Sequence, residues 1–168
     1  MICHGIPDDR PLLSGDILNI DVTVFLDGVH GDCSDTFLVG EVDEAGQRLV
    51  EVTREALRVG IEQCGPGEKF SSIGNAVQDF VTSQGLSVVP AFTGHGIGSY
   101  FHGPPDIFAC RNSYPGTMTP GMTFTIEPIV SEGSREVVIL SDNWTAVSPD
   151  DSRQLHIMQL ELIPCSCD

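Results

Sequence analysis

The chain has 168 residues, with 24 acidic against 8 basic and a formal net charge of −16, a balance that excludes a nucleic-acid surface, whose phosphates need clustered Lys and Arg. Its length suits one domain with a substantial core, and no apolar run approaches the roughly 20 residues of a membrane span. Six cysteines at positions 3, 33, 64, 110, 165 and 167 lack the dense spacing of a secreted disulfide framework and point to a reducing compartment; Cys165 and Cys167 read as the end of a tail, not as a metal site.

No leader pattern precedes Met1-Ile2-Cys3-His4, and the chain opens in what reads as the middle of a strand and loop, which predicts an amino-terminal truncation. Residues 3–9 form a loop punctuated by Gly5 and Pro7. Its histidine, His4, carries little weight alone. Ser14-Gly15-Asp16 then turns into the first of two β-rich runs separated by Asp27-Gly28, a strong hairpin signal because both central residues must tolerate φ > 0.

A symmetric ladder about that turn sets Leu26 opposite Val29, Thr23 opposite Asp32 and Asp21 opposite Ser34. Because side chains alternate, Asp21 and Asp32 share a face as diagonal neighbours, with Cβ atoms roughly 7 Å apart. Two carboxylates that close repel each other unless a cation sits between them. The register therefore predicts metal binding. Ile20, Val22 and Val24 occupy the alternate positions and are too apolar for a simple surface strand, so the expected setting is a buried sheet with one polar face kept for chemistry.

After Gly40 the period changes. Leu49, Val52, Ala56 and Val59, widened by Leu57 and Ile61, form the stripe of an amphipathic helix stopped by Gly65-Pro66-Gly67. Ser71 or Ser72 offers the N-cap of a second helix that buries Ile73, Val77, Phe80 and Val81 and ends at Gly85. Both helices are expected to be packing layers. A short strand over residues 86–90 leads into Thr93-Gly94-His95-Gly96-Ile97-Gly98-Ser99-Tyr100-Phe101-His102, where the glycines rule out a regular helix and let backbone approach a ligand closely. His95 and His102 in so permissive a loop suggest one metal ligand and one proton or hydrogen-bond donor.

From Met122 to Glu127 the chain alternates, with Met122, Phe124 and Ile126 facing one way and Thr123, Thr125 and Glu127 the other. Pro128 stops the ladder and leaves Glu127 held at a strand end. Asp21, Asp32, His95 and Glu127 together are an oxygen-rich donor set with one imidazole, suited to Mn²⁺, Fe²⁺, Co²⁺ or Zn²⁺, and the carboxylate excess suggests two bridged ions. Hydrolysis is the chemistry implied, because water held between cations becomes hydroxide near neutral pH.

Five stretches resemble the type I methionine aminopeptidases, which have the α+β pita-bread fold of a curved antiparallel sheet with helices on its outer face. They are ICHGIPD at 2–8, NIDVTVFLDGVHGDCSDTFLVG at 19–40, GHGIGSYFHGPP at 94–105, PGMTFTIEPI at 120–129 and DNWTAVSPD at 142–150. The resemblance implies removal of the initiator methionine from peptides and nascent chains at a two-metal site. By it Asp21, Asp32, His95 and Glu127 are metal ligands, Glu127 also belongs to the catalytic group, His4 and His102 contact substrate, and His102 steadies the tetrahedral intermediate. The wording of the 94–105 stretch is similar to the organellar form. Implied partners are peptide and nascent-chain N-termini, with ribosome association through protein contacts and neither nucleic acid nor membrane; a monomer is expected, in the cytoplasm or a mitochondrion.

Two departures stand out. Members of the family carry further helices and a strand ahead of the ICHGIPD motif, so apolar surface and a sheet edge should lie uncovered here. They also end in a strand whose glutamate bridges the metals, whereas this chain has a divergent tail over residues 153–168, after a metallopeptidase domain at 1–152. Counted without gaps from Glu127, Met158 falls where that glutamate belongs, and a thioether cannot bridge such cations. Three inserted residues would instead bring Glu161 to that place as a substitute ligand. The alternative to an enzyme is an inactive fragment of the fold that acts as a binding or regulatory module.

Overall fold

The computed structural model describes residues 1–164; Cys165 and Cys167 lie outside them. Strands β1 (Ile17–Leu26) and β2 (Val29–Leu38) form the expected hairpin, with Leu26 opposite Val29, Thr23 opposite Asp32 and Asp21 opposite Ser34. The turn residues Asp27 and Gly28 have φ of 49° and 89°, the left-handed pair that joins two strands with their natural twist. One expectation fails. Ile20, Val22 and Val24 are 49%, 47% and 54% exposed, because β1 and β2 form a sheet of two strands whose outer face the described residues leave largely uncovered, with Arg54 reaching it to pair with Asp35 opposite Ile20. The uncovered apolar surface anticipated from the resemblance is this face, which Leu26, Val29 and Phe37 extend.

Helix α1 (Glu44–Ile61) begins at Asp43, whose carboxylate accepts from the Gly46 N–H at 2.8 Å. It buries Leu49, Val52, Ala56 and Leu57 as its period requires. Helix α2 (Phe70–Ser83) buries Ile73, Val77 and Val81. Its start differs from expectation: the N-cap is Lys69, with no side-chain capping bond, and Ser71 and Ser72 lie inside the helix. Glu68 and Lys69 are already tied to the segment 117–118, through a Lys69–Thr117 bridge and the Met118 N–H donating to the Glu68 carbonyl at 2.8 Å. Tertiary pairing thus sets the entry a few residues ahead of the serines, and the Ser72 hydroxyl turns back to donate to the Lys69 carbonyl.

The remaining strands are β3 (Ser87–Val88), β4 (Gly94–Gly96), β5 (Gly103–Ile107), β6 (Thr123–Ile126), β7 (Ile129–Ser131), β8 (Val138–Ile139), β9 (Ala146–Val147), β10 (Gln154–His156) and β11 (Gln159–Leu162). They pair antiparallel throughout. One sheet runs β11-β6-β4-β5, another β10-β7-β3, and β8 pairs with β9. Past Ser152 the chain re-enters the body, β10 against β7 and β11 against β6.

Alternation divides the two faces of these sheets. Phe124 and Ile126 of β6, Leu155 of β10 and the following Ile157 join Leu49, Ile73 and Val77 of the helices in one core. Phe124 is fully buried and meets Phe70 edge-on, ring centroids 5.9 Å apart; a side chain of this kind contributes about 1.5–3 kcal/mol by burial. The opposite positions, Thr125, Glu127, His156 and Met158, point away from the helices. The hairpin docks on that second face. Its Ser34 exchanges backbone hydrogen bonds with Met158, and Asn19 and Thr36 both donate to the His156 carbonyl, at 2.8 and 2.9 Å.

Candidate functional site

Between the hairpin and the second sheet face lies a cavity of about 1030 Å³ whose lining includes Asp21, Asp32, His95 and Glu127 together with His4 and His102. Residues far apart in sequence thus meet in one place. Glu161 does not line it. Its strand places it opposite Phe124, on the helix side, where it accepts from the Gln159 amide at 2.9 Å. The reason is parity: strand side chains alternate, so moving three positions on from Met158 exchanges the cavity face for the core face. Glu161 is therefore corrected out of the donor set. Met158 lies in the lining, 4% exposed.

Three of the four central side chains are braced. Asp32 is buried and accepts from the Thr23 hydroxyl at 2.8 Å, and its other oxygen stands 3.7 Å from His95 Nε2. His95 sits on β4 between two glycines, and close approach demands the second: a Cβ on Gly96 would collide with the Pro104 carbonyl oxygen. His95 Nδ1 lies 3.2 Å from the Gly96 carbonyl. Donating there, the ring leaves the Nε2 lone pair facing Asp32 and Glu127. The Thr125 hydroxyl links two groups, accepting from the His95 backbone N–H at 3.0 Å and donating to Glu127 Oε1 at 2.7 Å. Glu127 Oε1 is 3.7 Å from His95 Nε2, and its Oε2 is 3.6 Å from His156 Nε2.

Charge is concentrated here without compensation from Lys or Arg. Burial first, and then the neighbouring Asp32 carboxylate, pushes the Asp21 carboxyl above its ordinary value. Burial, with help from the Glu127 charge, pushes the Cys3 thiol up to about 12, so it stays a neutral part of the wall. Burial, followed by His95, holds His102 below the usual imidazole range. His102 meets His95 edge-on with ring centroids 4.3 Å apart. Across the cavity His4 stacks on Trp144 at 4.7 Å and meets Phe92 edge-on at 5.2 Å, which makes one side of the space aromatic.

The sequence reading missed His156 as part of the site and gave Met158 only as the residue standing where the bridging glutamate belongs; both line the cavity. Their signal was the alternation of Gln154, His156 and Met158 against Leu155 and Ile157. His156 is 4% exposed, and neither ring nitrogen has a hydrogen-bond partner among the described residues.

Among the described residues no three His, Cys, Asp or Glu side chains are drawn into a tight metal cage. The donor pairs at 3.6–3.7 Å are slightly wider than the roughly 3.4 Å edge of a tetrahedron around an ion with 2.1 Å bonds. These pairs run as a chain from Asp32 through His95 and Glu127 to His156, which side-chain rotation would have to draw inward to surround one ion. Buried carboxylates facing imidazoles, one of which has unpartnered nitrogens, fit a divalent cation; the Met158 thioether does not.

Thr125→Val tests the brace. It removes the hydroxyl while keeping the shape, strands the buried His95 N–H, and frees Glu127. Divalent-ion affinity, read by calorimetric titration, should fall about 10–100-fold, as for other groups that orient metal ligands.

Residues 1–151 match the description Metallopeptidase family M24. The chain is 54% identical over 153 residues to the mitochondrial methionine aminopeptidase 1D of Danio rerio, covering 91% of this chain and 45% of that protein. It is 52% identical over 163 residues to the protein of that name from Homo sapiens, covering 97% and 49%. The chain thus spans about half the length of these curated relatives. Among solved structures, methionine aminopeptidase from Rickettsia prowazekii superposes with TM-score 0.93 at 41% identity, covering 97% of this chain and 66% of that one. A prolidase from Pyrococcus furiosus, at 22% identity and TM-score 0.75, covers 96% of this chain and 42% of its own, a likeness of fold alone. The shared architecture is the pita-bread fold.

Proposed function

Because the chain belongs to metallopeptidase family M24, whose members use divalent metal ions, we propose that it cleaves the N-terminal methionine from peptides and nascent chains. The observation that carries this reading is the meeting of Asp21, Asp32, His95 and Glu127 at one cavity with an aromatic wall. A divalent ion held there would supply an acidified water and charge stabilisation for a developing oxyanion.

The chain's own groups do the rest. Asp32, His95 and Glu127 would hold an ion on one side, and Asp21 with a shared Asp32 would hold a second. Glu127, fixed by Thr125, would take a proton from the attacking water and pass it to the amine that departs as the peptide bond breaks. His102, kept neutral by burial, has an N–H to donate to the carbonyl oxygen as it gains charge. His4, Phe92, Trp144 and the un-ionised Cys3 offer a surface for an unbranched apolar side chain, which suits a thioether. The mitochondrial names of the relatives support an organellar compartment, and the acidic surface directs any ribosome contact to basic proteins.

A second reading, an inactive binding module, draws on Met158 in the place of a bridging acid. Metal content and hydrolysis of a methionyl peptide separate the two. Bound ion with methionine release, lost in His102→Ala by about 10²–10⁴-fold in kcat, supports the peptidase. Folded protein that binds methionyl peptide without turnover supports the module.

A further inference from the structure

We propose that His156 is itself a metal ligand, and that with Asp32, His95 and Glu127 it forms a single-ion site of two imidazoles and two carboxylates. This inference rests on the metallopeptidase reading and deepens it, replacing a carboxylate-bridged pair of ions by one ion held more by nitrogen.

Three observations carry it. The His156 ring is 4% exposed, and neither nitrogen has a hydrogen-bond partner among the described residues. Buried polar atoms are nearly always satisfied, so a whole imidazole left without a bond points to a missing partner. Its direction is also fixed: β10 pairs His156 with Ile129, and Asn19 and Thr36 both grip its carbonyl, which sets the ring against Glu127 with Nε2 3.6 Å from Oε2. That distance is too long for a hydrogen bond and short enough for two donors to one ion.

The third observation concerns Met158, two residues on and on the same face of the chain. A thioether cannot neutralise the mutual repulsion of two dications. A second ion would keep only Asp21 and a share of Asp32, whereas the first gains a neutral nitrogen. One ion is the favoured occupancy. The rival account is a plain His156–Glu127 ion pair, which needs no metal.

The test is a titration of the full chain with Co²⁺, reading bound ions by equilibrium dialysis and paramagnetically shifted imidazole resonances by NMR. The expected result is one tightly bound ion with two shifted imidazoles. In His156→Ala one of these signals is lost and affinity falls at least about tenfold. His156→Gln keeps bulk and polarity should the alanine variant unfold, and it should lose the same signal. One shifted imidazole in the parent, absent from His95→Ala and unaffected in the His156 variants, overturns the role of His156 while sustaining the metallopeptidase reading. No Co²⁺ bound by the folded parent chain overturns both.

Discussion

Asp32→Asn should bind Co²⁺ or Mn²⁺ more weakly than the parent chain by more than the roughly 10–100-fold that outer groups of a metal site contribute, and should release no methionine from a methionyl peptide. Asp32 is the group both halves of the donor set share: buried, oriented by Thr23, and 3.7 Å from His95. An amide keeps the Thr23 hydrogen bond and the shape but loses the charge that attracts the ion. The folded, ion-free protein should therefore survive the change. Melting in chelator that matches the parent, with loss of the metal-induced rise in Tm, is the expected pair of results; metal binding at parental strength would remove Asp32 from the site.

Asp21→Asn adds a pH signature. In the folded chain the Asp21 carboxyl is raised, by burial first and by Asp32 second. The native state thus holds its proton more tightly than the unfolded chain. Stability contributed by this group falls as pH rises from the ordinary carboxylate value through the raised one, and stays lower above it. Removing the ionisable group should make the ion-free chain at least as stable as the parent at pH 7, with the advantage fading toward pH 4. Thermal melts in chelator at the two pH values check the sign.

These expectations trace back unevenly to the sequence. The hairpin was legible because Asp27-Gly28 fixes a local register, and the register alone puts Asp21 and Asp32 on one side. Glu127 was legible for a similar reason, from the alternation that separates it and Thr125 from Phe124 and Ile126. The glycine-rich loop pointed to His102 and the resemblance supplied His4, and both line the same cavity.

What stayed hidden depends on distant packing. His156 belongs to a strand of three residues, where alternation tells which side chains share a face but not what that face meets, and its orientation comes from hydrogen bonds reaching back to Asn19 and Thr36. The entry to α2 was set by Lys69 meeting Thr117, which overrode two serines of good capping character. The outer face of β1 read as buried because apolar alternation reports what a strand could bury, not whether a neighbour is there to cover it. Glu161 shows the limit of motif matching: a shift of three residues satisfies the letters and reverses the face.

Met158→Glu should convert the site from one bound ion to two. Residue 158 is held by the paired backbone bonds with Ser34, and it lines the cavity beside Asp32 and Glu127. The adjacent Ser34 hydroxyl is buried with no hydrogen-bond partner among the described residues, so a carboxylate there gains a donor as well as two cations to bridge. In chelator the variant should be less stable than the parent, because one more acid joins Asp21, Asp32 and Glu127 around the cavity, at a cost of roughly 1–3 kcal/mol or more. Excess Co²⁺ or Mn²⁺ should reverse that order, since binding to the native state alone adds stability with each ion held. Methionine release should rise about tenfold or more, which corresponds to a barrier lower by about 1.4 kcal/mol. Stoichiometry by dialysis, melts with and without ion, and turnover of one methionyl peptide measure the three effects on the same preparation. A variant that still binds one ion and turns over no faster would mean that residue 158 is not where the lost bridging charge belongs, and with it would fall the account of why this chain favours a single ion.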